Sequence, residues 1–447
     1  MQARWALTIL ILAGLVAGVY VGHLLHDPDF LITMSDADHA HATAIATFNF
    51  IGDTIFLGLL KMLIIPLIAT SVIVGVTSVG DFRSLGKIGI ATLCYYVLTM
   101  GIAATIGLVL VTQIRPGEQI TRQHLAEGEA TYEASETIKS NIEAGPSGLL
   151  GAMENLVKQI IPRNIFEAAA KGRPLPIIFF SILLAIVITT LGERGLILTQ
   201  FFGALFEAIM RLVNLIIWMT PVGVFALMAW TVARIGIDVF ASAIGSYMIT
   251  CLIGLGIHGF IVLPLICAIF GRCNPFKFMH QMRQAMLTAL GTDSSSATLP
   301  VTVRCATENA GISKRSAGFV LPLGSTINMD GTALYEAVAV VFLAQAYGIQ
   351  LDLATLVLVA ITATLAAIGA AGIPSAGLIT MVIVVNAVNG TLESLPGGAT
   401  IPVAAIGLIV GVDRIIDMVR TMVNVWGDAV GAKIVDRIDD RPKWDRI

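Results

Sequence analysis

The sequence is poor in charge: only 13% of its 447 residues are Asp, Glu, Lys or Arg. An ordinary soluble domain carries about 25% charged residues, so this chain has too few to cover a water-exposed surface. The shortage excludes a disordered chain, a coiled coil and most soluble enzymes. Because the formal net charge is −3, the chain has no basic surface, and no nucleic-acid partner is expected.

Cysteine is also scarce, with five residues. Their spacing matches no metal-binding motif, and most lie in apolar runs, where cysteine packs as a small hydrophobe. We therefore predict no disulfide, no cysteine-bound metal and no cofactor. His258 also lies in an apolar run, and we interpret it as a packed histidine with a polar partner rather than as a proton relay.

Long apolar runs fill the chain instead: 56% of the residues are hydrophobic and the mean hydropathy is +0.86. A helix needs about 20 apolar residues to cross a bilayer. The sequence therefore predicts an all-α polytopic membrane protein with about eight transmembrane helices. The candidate spans cover residues 5–25, 48–79, 88–111, 174–191, 196–233, 239–270, 317–347 and 395–435.

Basic residues predict the orientation, because cytoplasmic loops carry an excess of Lys and Arg. They cluster between the second and third spans, after the sixth span, before the seventh span and after the last span. The loop 116–148 is acidic instead. We expect both termini to be cytoplasmic.

Two hydrophobic segments are interrupted in the middle. Residues 286–303 are broken at 291–296, and residues 356–385 are broken at 369–377. Irregular backbone at membrane depth is tolerated only inside protein or beside a water-filled cavity, and paired interruptions of this kind mark the binding sites of transporters. The alternative is two surface loops.

The last span carries one polar face. At 100° per residue, six polar side chains fall within an arc of about 100°. A charge at the bilayer centre costs about 2.5–3.5 kcal/mol, so this face must line a polar interior. Ion pairing between neighbours on the helix is an alternative, but it leaves two further carboxylates unexplained. The six residues are Asp413, Asp417, Arg420, Thr421, Asn424 and Asp428.

The residue types on this face indicate a ligand. Arg420 can bind a carboxylate through two hydrogen bonds, and Asp417 can pair with an ammonium group. Together they suit a zwitterion with an additional acid group. Asn424 and Asp428 offer hard oxygen ligands for a cation such as sodium, or a carboxyl group that carries a proton.

Residues 328–332 interrupt the seventh span with the sequence NMDGT. Gly324 and Gly331 permit local unwinding, which would expose carbonyl groups to a cation. The alternative is a turn between two short helices. Glu336 follows in the same span; burial favours the neutral form of a carboxyl group, so Glu336 is a candidate proton carrier.

Four motifs in this order resemble those of the dicarboxylate/amino acid:cation symporter family, which includes archaeal sodium–aspartate transporters and animal excitatory amino acid transporters. They are SSSATLP at 294–300, NMDGTALYE at 328–336, AGIPSAG at 371–377 and DMVRTMVNVWGD at 417–428.

The resemblance implies a glutamate-transporter fold with inverted repeats: eight spans, two re-entrant helical hairpins, and a transport domain that moves like an elevator with hairpin 2 as its gate. It also implies a homotrimer in the plasma (cell inner) membrane. The implied division is 1–80 for scaffold spans one and two, 81–115 for span three, 116–235 for a loop with scaffold spans four and five, 236–275 for span six, 276–312 for hairpin 1, 313–348 for span seven, 349–393 for hairpin 2, and 394–447 for span eight and the tail.

The resemblance also implies roles for single residues. The substrate would contact Ser295, Thr332, Ile373, Gly377, Asp417, Arg420, Thr421 and Asn424. Sodium would bind near Tyr96, Thr99, Gly324, Thr326, Asn328, Asp330, Ile368, Asn424 and Asp428. Glu336 matches a glutamate associated with proton or potassium coupling in the animal relatives.

The substrate class follows from two of these positions. Neutral amino acid members lack the arginine at position 420, and C4-dicarboxylate carriers lack the aspartate at position 417. The resemblance therefore implies a symporter for L-glutamate or L-aspartate, driven by sodium, protons or both. An intramembrane protease using residues 294–296 or paired aspartates, and an anion channel, are the competing hypotheses.

Three positions depart from the family pattern. Met100 stands where many sodium-coupled relatives have Ser or Thr, which puts the cation site around Tyr96 and Thr99 in doubt. Asp293 stands where archaeal relatives have Arg, and Met418 where animal relatives have Arg. We hypothesise that Asp293 pairs with Arg414.

Overall fold

The computed structural model describes residues 2–26, 39–77, 82–122, 124–126, 129, 157, 160–235, 244–369, 376–393 and 400–438. Within these ranges the chain is helical and contains no strand. The helices are α1 (Gln2–Leu24), α2 (His39–Asn49), α3 (Gly58–Thr77), α4 (Phe82–Ile114), α5 (Ile165–Ala170), α6 (Pro174–Thr190), α7 (Glu193–Ile217), α8 (Thr220–Ile235), α9 (Gly245–Ile257), α10 (Leu263–Phe270), α11 (Pro275–Thr292), α12 (Ser295–Arg304), α13 (Lys314–Ile327), α14 (Asp330–Ala346), α15 (Leu353–Gly369), α16 (Ala376–Leu392) and α17 (Gly407–Ile438).

Short π-helical segments join some of these helices into longer rods, such as α9 with α10 through His258–Val262. Among the described residues, five helical rods are long and apolar enough to cross a membrane: Thr43–Thr77, Gly86–Ile114, Glu193–Ile217, Gly245–Phe270 and Lys314–Ala346. They support a polytopic membrane protein, whereas the number of eight spans stays a prediction.

The predicted single span over 196–233 is wrong, because the structure divides it into α7 and α8. Helix α7 ends at Ile217 and α8 begins at Thr220. Pro221 accounts for the division, since its ring lacks an N–H donor and crowds the residue before it.

The interruption predicted in the first hairpin is confirmed. Asp293 ends α11 with a left-handed backbone (φ 54°), and its N–H bonds the carbonyl of Ala289 at 2.9 Å. Ser294 then caps α12, because its Oγ accepts a hydrogen bond from the N–H of Ala297 at 3.1 Å. We call α11 and α12 hairpin 1, and α15 and α16 hairpin 2; the tip of hairpin 2, residues 370–375, lies outside the described residues.

Helices α13 and α14 form the centre of the bundle. Their backbone is non-helical at Asn328 and Met329, as the polar sequence predicted. Nearly every side chain of α14 is buried, because this helix packs against α4, α17 and both helices of hairpin 2. Any site at the break between α13 and α14 is therefore enclosed by protein, as irregular backbone inside a bilayer requires.

Helix α13 also packs closely on α3 through two glycines. A Cβ atom added to Gly318 would lie 2.5 Å from the carbonyl oxygen of Ser71 and 3.7 Å from the Cα of Gly75. The two backbones approach this closely only because both side chains are absent, as at small-residue contacts between membrane helices.

We expect Gly318→Ala to destabilise the protein by about 1–3 kcal/mol, since the added methyl group has no space at this contact. The measurement is the thermal unfolding midpoint of the purified protein in detergent. Gly256→Ala is the control, because nothing lies within 4 Å of its Cβ position and alanine favours a helix by up to about 1 kcal/mol. An unchanged midpoint for Gly318→Ala would contradict the packing argument.

Candidate functional site

The polar face of α17 is buried, as its spacing predicted. None of its six polar residues is more than 4% exposed. The face is turned toward the interior because α17 packs against α11, α13 and α14. Backbone breaks and buried charges thus meet in the middle of the bundle.

Arg420 lies at the centre of this face. Its Nε donates a 2.7 Å hydrogen bond to Oδ1 of Asp417, and its Nη1 lies 3.9 Å from Oδ1 of Asp413. The guanidinium carbon is 4.4 Å from the ring centre of Tyr335. The ion pair between Asp417 and Arg420 on one helix, which the sequence left open as an alternative, is therefore present. Asp413 and Tyr335 also lie next to the guanidinium group.

One atom of this guanidinium group is available for a ligand. Nη1 of Arg420 has no hydrogen-bond partner among the described residues. It lies beside Gly377 of hairpin 2, where an added Cβ would overlap the guanidinium group. Because buried donors are normally paired, this N–H group marks a place for an acceptor such as a carboxylate.

A second cluster holds oxygen atoms from three helices. Nδ2 of Asn328 donates a 3.0 Å hydrogen bond to Oδ1 of Asp428, and Oγ1 of Thr99 lies 3.4 Å from Oδ1 of Asn328. Gly324 faces the same point, since a Cβ there would lie 2.8 Å from the hydroxyl of Tyr96 and overlap Asp428. Four of the predicted sodium-binding residues are therefore in contact with one another or with Asp428.

Asp330 lies next to this cluster and has an unexpected partner. Its Oδ2 is 3.2 Å from Nε2 of His258, and both side chains are fully buried. Its Oδ1 has no hydrogen-bond partner in the described part of the chain. The polar partner expected for His258 is thus confirmed, but the sequence did not identify it as Asp330.

The donor set fits a hard cation. Carboxylate, amide and carbonyl oxygens are the ligands that such ions prefer, and an unpaired buried carboxylate oxygen is available on Asp330. No group of three or more His, Cys, Asp or Glu side chains among the described residues has metal-binding geometry. A cation here would therefore depend on amide and backbone oxygens as well as on carboxylates.

The other predicted residues that the structure describes lie on the helices that form these two clusters or on the two hairpins. Oδ1 of Asn424 accepts a 2.7 Å hydrogen bond from the N–H of Gly331 at the start of α14. The side chains of Ser295, Thr332 and Thr326 are buried, and Ile368 is half-buried near the end of α15. Ile373 lies outside the described residues.

Glu336 is fully buried on α14. Oγ1 of Thr380, in hairpin 2, donates a hydrogen bond to its Oε1. Its Oε2 is buried and finds no such partner in the residues that the structure describes. The candidate proton carrier therefore connects the central helix directly to hairpin 2.

The hypothesised pair between Asp293 and Arg414 is confirmed: Oδ2 of the aspartate lies 3.2 Å from Nε of the arginine. Arg414 also lies over Trp230 of α8, with 5.6 Å between the guanidinium carbon and the ring centre. Met100, another departure from the family pattern, is buried. Its Sδ is 3.4 Å from the backbone nitrogen of Met329, so a sulfur atom lies beside the break between α13 and α14.

Comparison with known proteins gives a family match over nearly the whole chain. Residues 7–438 match the Sodium:dicarboxylate symporter family. Similar proteins include mouse Excitatory amino acid transporter 2, 39% identical over 439 residues, which cover 89% of this chain and 74% of the relative. Human Excitatory amino acid transporter 3 is 36% identical over 490 residues, covering 99% of this chain and 87% of the relative. A Caenorhabditis elegans Excitatory amino acid transporter is 39% identical over 408 residues, covering 84% and 78%.

The contact between Glu336 and Thr380 predicts how hairpin 2 is held. Thr380→Val removes the hydroxyl donor at nearly constant volume, so the buried carboxyl loses a hydrogen bond at a penalty of about 1–3 kcal/mol. We expect faster amide hydrogen exchange over residues 376–392. Thr362→Val, in the other helix of the hairpin, is the control because, within the described part of the chain, its hydroxyl bonds only its own helix, at Leu358 and Val359. Equal exchange in the two variants would show that the contact does not hold the hairpin.

Proposed function

Because the chain belongs to the Sodium:dicarboxylate symporter family, we propose that it imports acidic amino acids, L-glutamate or L-aspartate, together with sodium. Members of this family are transporters, so the chain is not an enzyme, and the protease hypothesis is wrong. Ser294 has a structural role instead, as the cap of α12.

The observation that carries this proposal is the buried Arg420 between two carboxylates, under hairpin 2. A substrate carboxylate binds the guanidinium group of Arg420, and the substrate ammonium group replaces Arg420 as the ion-pair partner of Asp417. The substrate thus replaces one internal ion pair by two pairs of its own, which requires both charges on one molecule. Ser295, Thr332, Thr421, Asn424 and the backbone near Ile373 and Gly377 complete the proposed site.

Charge explains why cations accompany the substrate. Asp413, Asp417 and Arg420 together carry one net negative charge, and an acidic amino acid adds another. Because isolated charge is very unfavourable in a buried site, cations bound nearby lower the free energy of the loaded state. We propose the residues around Asp428 and Asp330 for sodium, with backbone near Thr326 and Ile368, and Glu336 for a proton.

The packing of the hairpins supports an elevator movement. Hairpin 1 and α13 pack against α3, α7 and α8, whereas hairpin 2 packs mainly against α4 and α14. We propose that α4, α9, α10, α13, α14, α17 and both hairpins move as one transport domain against the remaining helices. Hairpin 2 is the gate, because its Gly377 covers Arg420.

The surroundings of the protein follow from its apolar surface. Helix α7 exposes a row of large apolar side chains, including Ile197, Phe201 and Leu215. Such a surface is suited to lipid or to another subunit. We propose a homotrimer in the plasma (cell inner) membrane with both termini cytoplasmic, as the resemblance implies.

Uptake into proteoliposomes tests the function. Radiolabelled aspartate or glutamate should accumulate when an inward sodium gradient is imposed, and the effect of an added proton gradient shows whether protons also contribute. If neither gradient drives accumulation of either substrate, the proposal fails. Ionic current without substrate accumulation would favour the channel hypothesis instead.

Arg420→Cys is expected to change the substrate class. Without the guanidinium group, the site loses its partner for the side-chain carboxylate, so uptake of acidic amino acids should fall by at least about 100-fold while neutral amino acids are retained or gained. Uptake of labelled aspartate and serine measures this. Arg211→Cys, on an exposed position of α7, is the control. Unchanged aspartate uptake would remove Arg420 from the site.

Glu336→Gln is expected to abolish the pH dependence of uptake. Glutamine has the shape of the protonated carboxyl group but cannot release a proton, so the rate should no longer respond to an imposed proton gradient. Initial uptake rates measured between about pH 5.5 and 8.5 provide the pH profile. Glu193→Gln, at an exposed helix start, should keep the wild-type profile. A surviving profile in Glu336→Gln would make Glu336 structural.

A further inference from the structure

Asp293 occupies an unusual place for a charged residue. It lies at the turn of hairpin 1 with its side chain only 1% exposed and a backbone φ of 54°. Aspartate tolerates this left-handed conformation better than most residues, but burial of its charge is unfavourable unless partners are present. Its two carboxylate oxygens show what those partners are.

The two oxygens face different surroundings. Oδ2 lies 3.2 Å from Nε of Arg414, while Oδ1 lies 3.5 Å from the hydroxyl of Thr421. Arg414 is 20% exposed and lies against Trp230 of α8. One oxygen is thus directed toward the arginine at the edge of the site, and the other toward the polar face of α17.

Thr421 is four residues after Asp417, so both lie on the same side of α17. Through its contact with Thr421, Asp293 therefore faces the side of α17 that also carries Asp417. Two buried carboxylates on one side of a site attract a cationic group between them, whereas the guanidinium group of Arg420 is already shared by Asp413 and Asp417.

We propose that Asp293 is a second carboxylate for the substrate ammonium, next to Asp417, and that Arg414 positions it. This inference rests on the proposed function, because it assigns an additional contact within that same site. Arg414 binds Oδ2 and thereby orients Oδ1 toward Thr421. The hairpin turn consequently recognises the amino group, while Arg420 recognises the carboxylate.

The first experiment distinguishes a loss of amino-group recognition from a general loss of folding or transport. For Asp293→Asn we expect the KM for L-aspartate to rise about 10- to 100-fold, the effect of removing one charged partner from a charged ligand. Succinate has both carboxylates but no amino group, so any inhibition by succinate should be no weaker in the variant than in the wild type. Asp53→Asn, at a half-exposed position, is the control. An unchanged KM would overturn the proposal, whereas a wild-type protein that takes up neither aspartate nor glutamate would overturn the proposed function itself.

The second experiment distinguishes a binding role from a structural ion pair, and it does not depend on succinate. The double variant Asp293→Arg with Arg414→Asp exchanges the two charges, so that the positive group lies on hairpin 1 and the negative group on α17. A purely structural pair predicts recovery of aspartate uptake, but our proposal predicts none, since a guanidinium group then faces the ammonium. Arg414→Lys keeps the positive charge beside Oδ2 but loses the planar guanidinium group over Trp230, so its KM for aspartate should rise less than that of Asp293→Asn. The elution volume and unfolding midpoint of each variant show that it is folded, and recovery in the folded swap variant would contradict the proposal.

Discussion

The interior of this protein is organised by one constraint: charged groups that are remote from water must have partners. Arg420 satisfies it with Asp417, Asp413 and the ring of Tyr335. Removing one partner of a buried pair leaves the other charge uncompensated, which is far less favourable than never having had the pair. The helices around Arg420 are therefore held in a fixed arrangement, and this arrangement forms the site.

The same constraint acts on the backbone. Where α13 gives way to α14, and where α11 gives way to α12, peptide groups lose their helical hydrogen bonds and need other partners. Side chains supply them: Asn424 accepts from the N–H of Gly331, and Ser294 accepts from the N–H of Ala297. The helix breaks and the polar face of α17 lie together because the breaks leave backbone N–H groups without helical partners, and polar side chains accept hydrogen bonds from them.

The parts of this arrangement that are local in the chain could be predicted from the sequence. The polar face of α17 follows from its helical spacing, and the break at Asn328 follows from polar residues inside an apolar run. Contacts between distant segments could not: nothing in the sequence indicates that His258 meets Asp330, or Thr380 meets Glu336. The pair of Asp293 and Arg414 is the exception, because Asp293 departs from the family pattern and Arg414 offers the opposite charge.

The pair of Asp417 and Arg420 explains why the site can be both stable and selective. Within one helix the two groups neutralise each other, so the protein needs no ligand to keep them buried. A molecule with a single charge would satisfy one of them and leave the other uncompensated, at a penalty of several kcal/mol. Only a molecule with an ammonium group and a carboxylate at the right separation can replace both partners at once. Selectivity then follows from the charge that a wrong ligand leaves unpaired, more than from the contacts that a correct one makes.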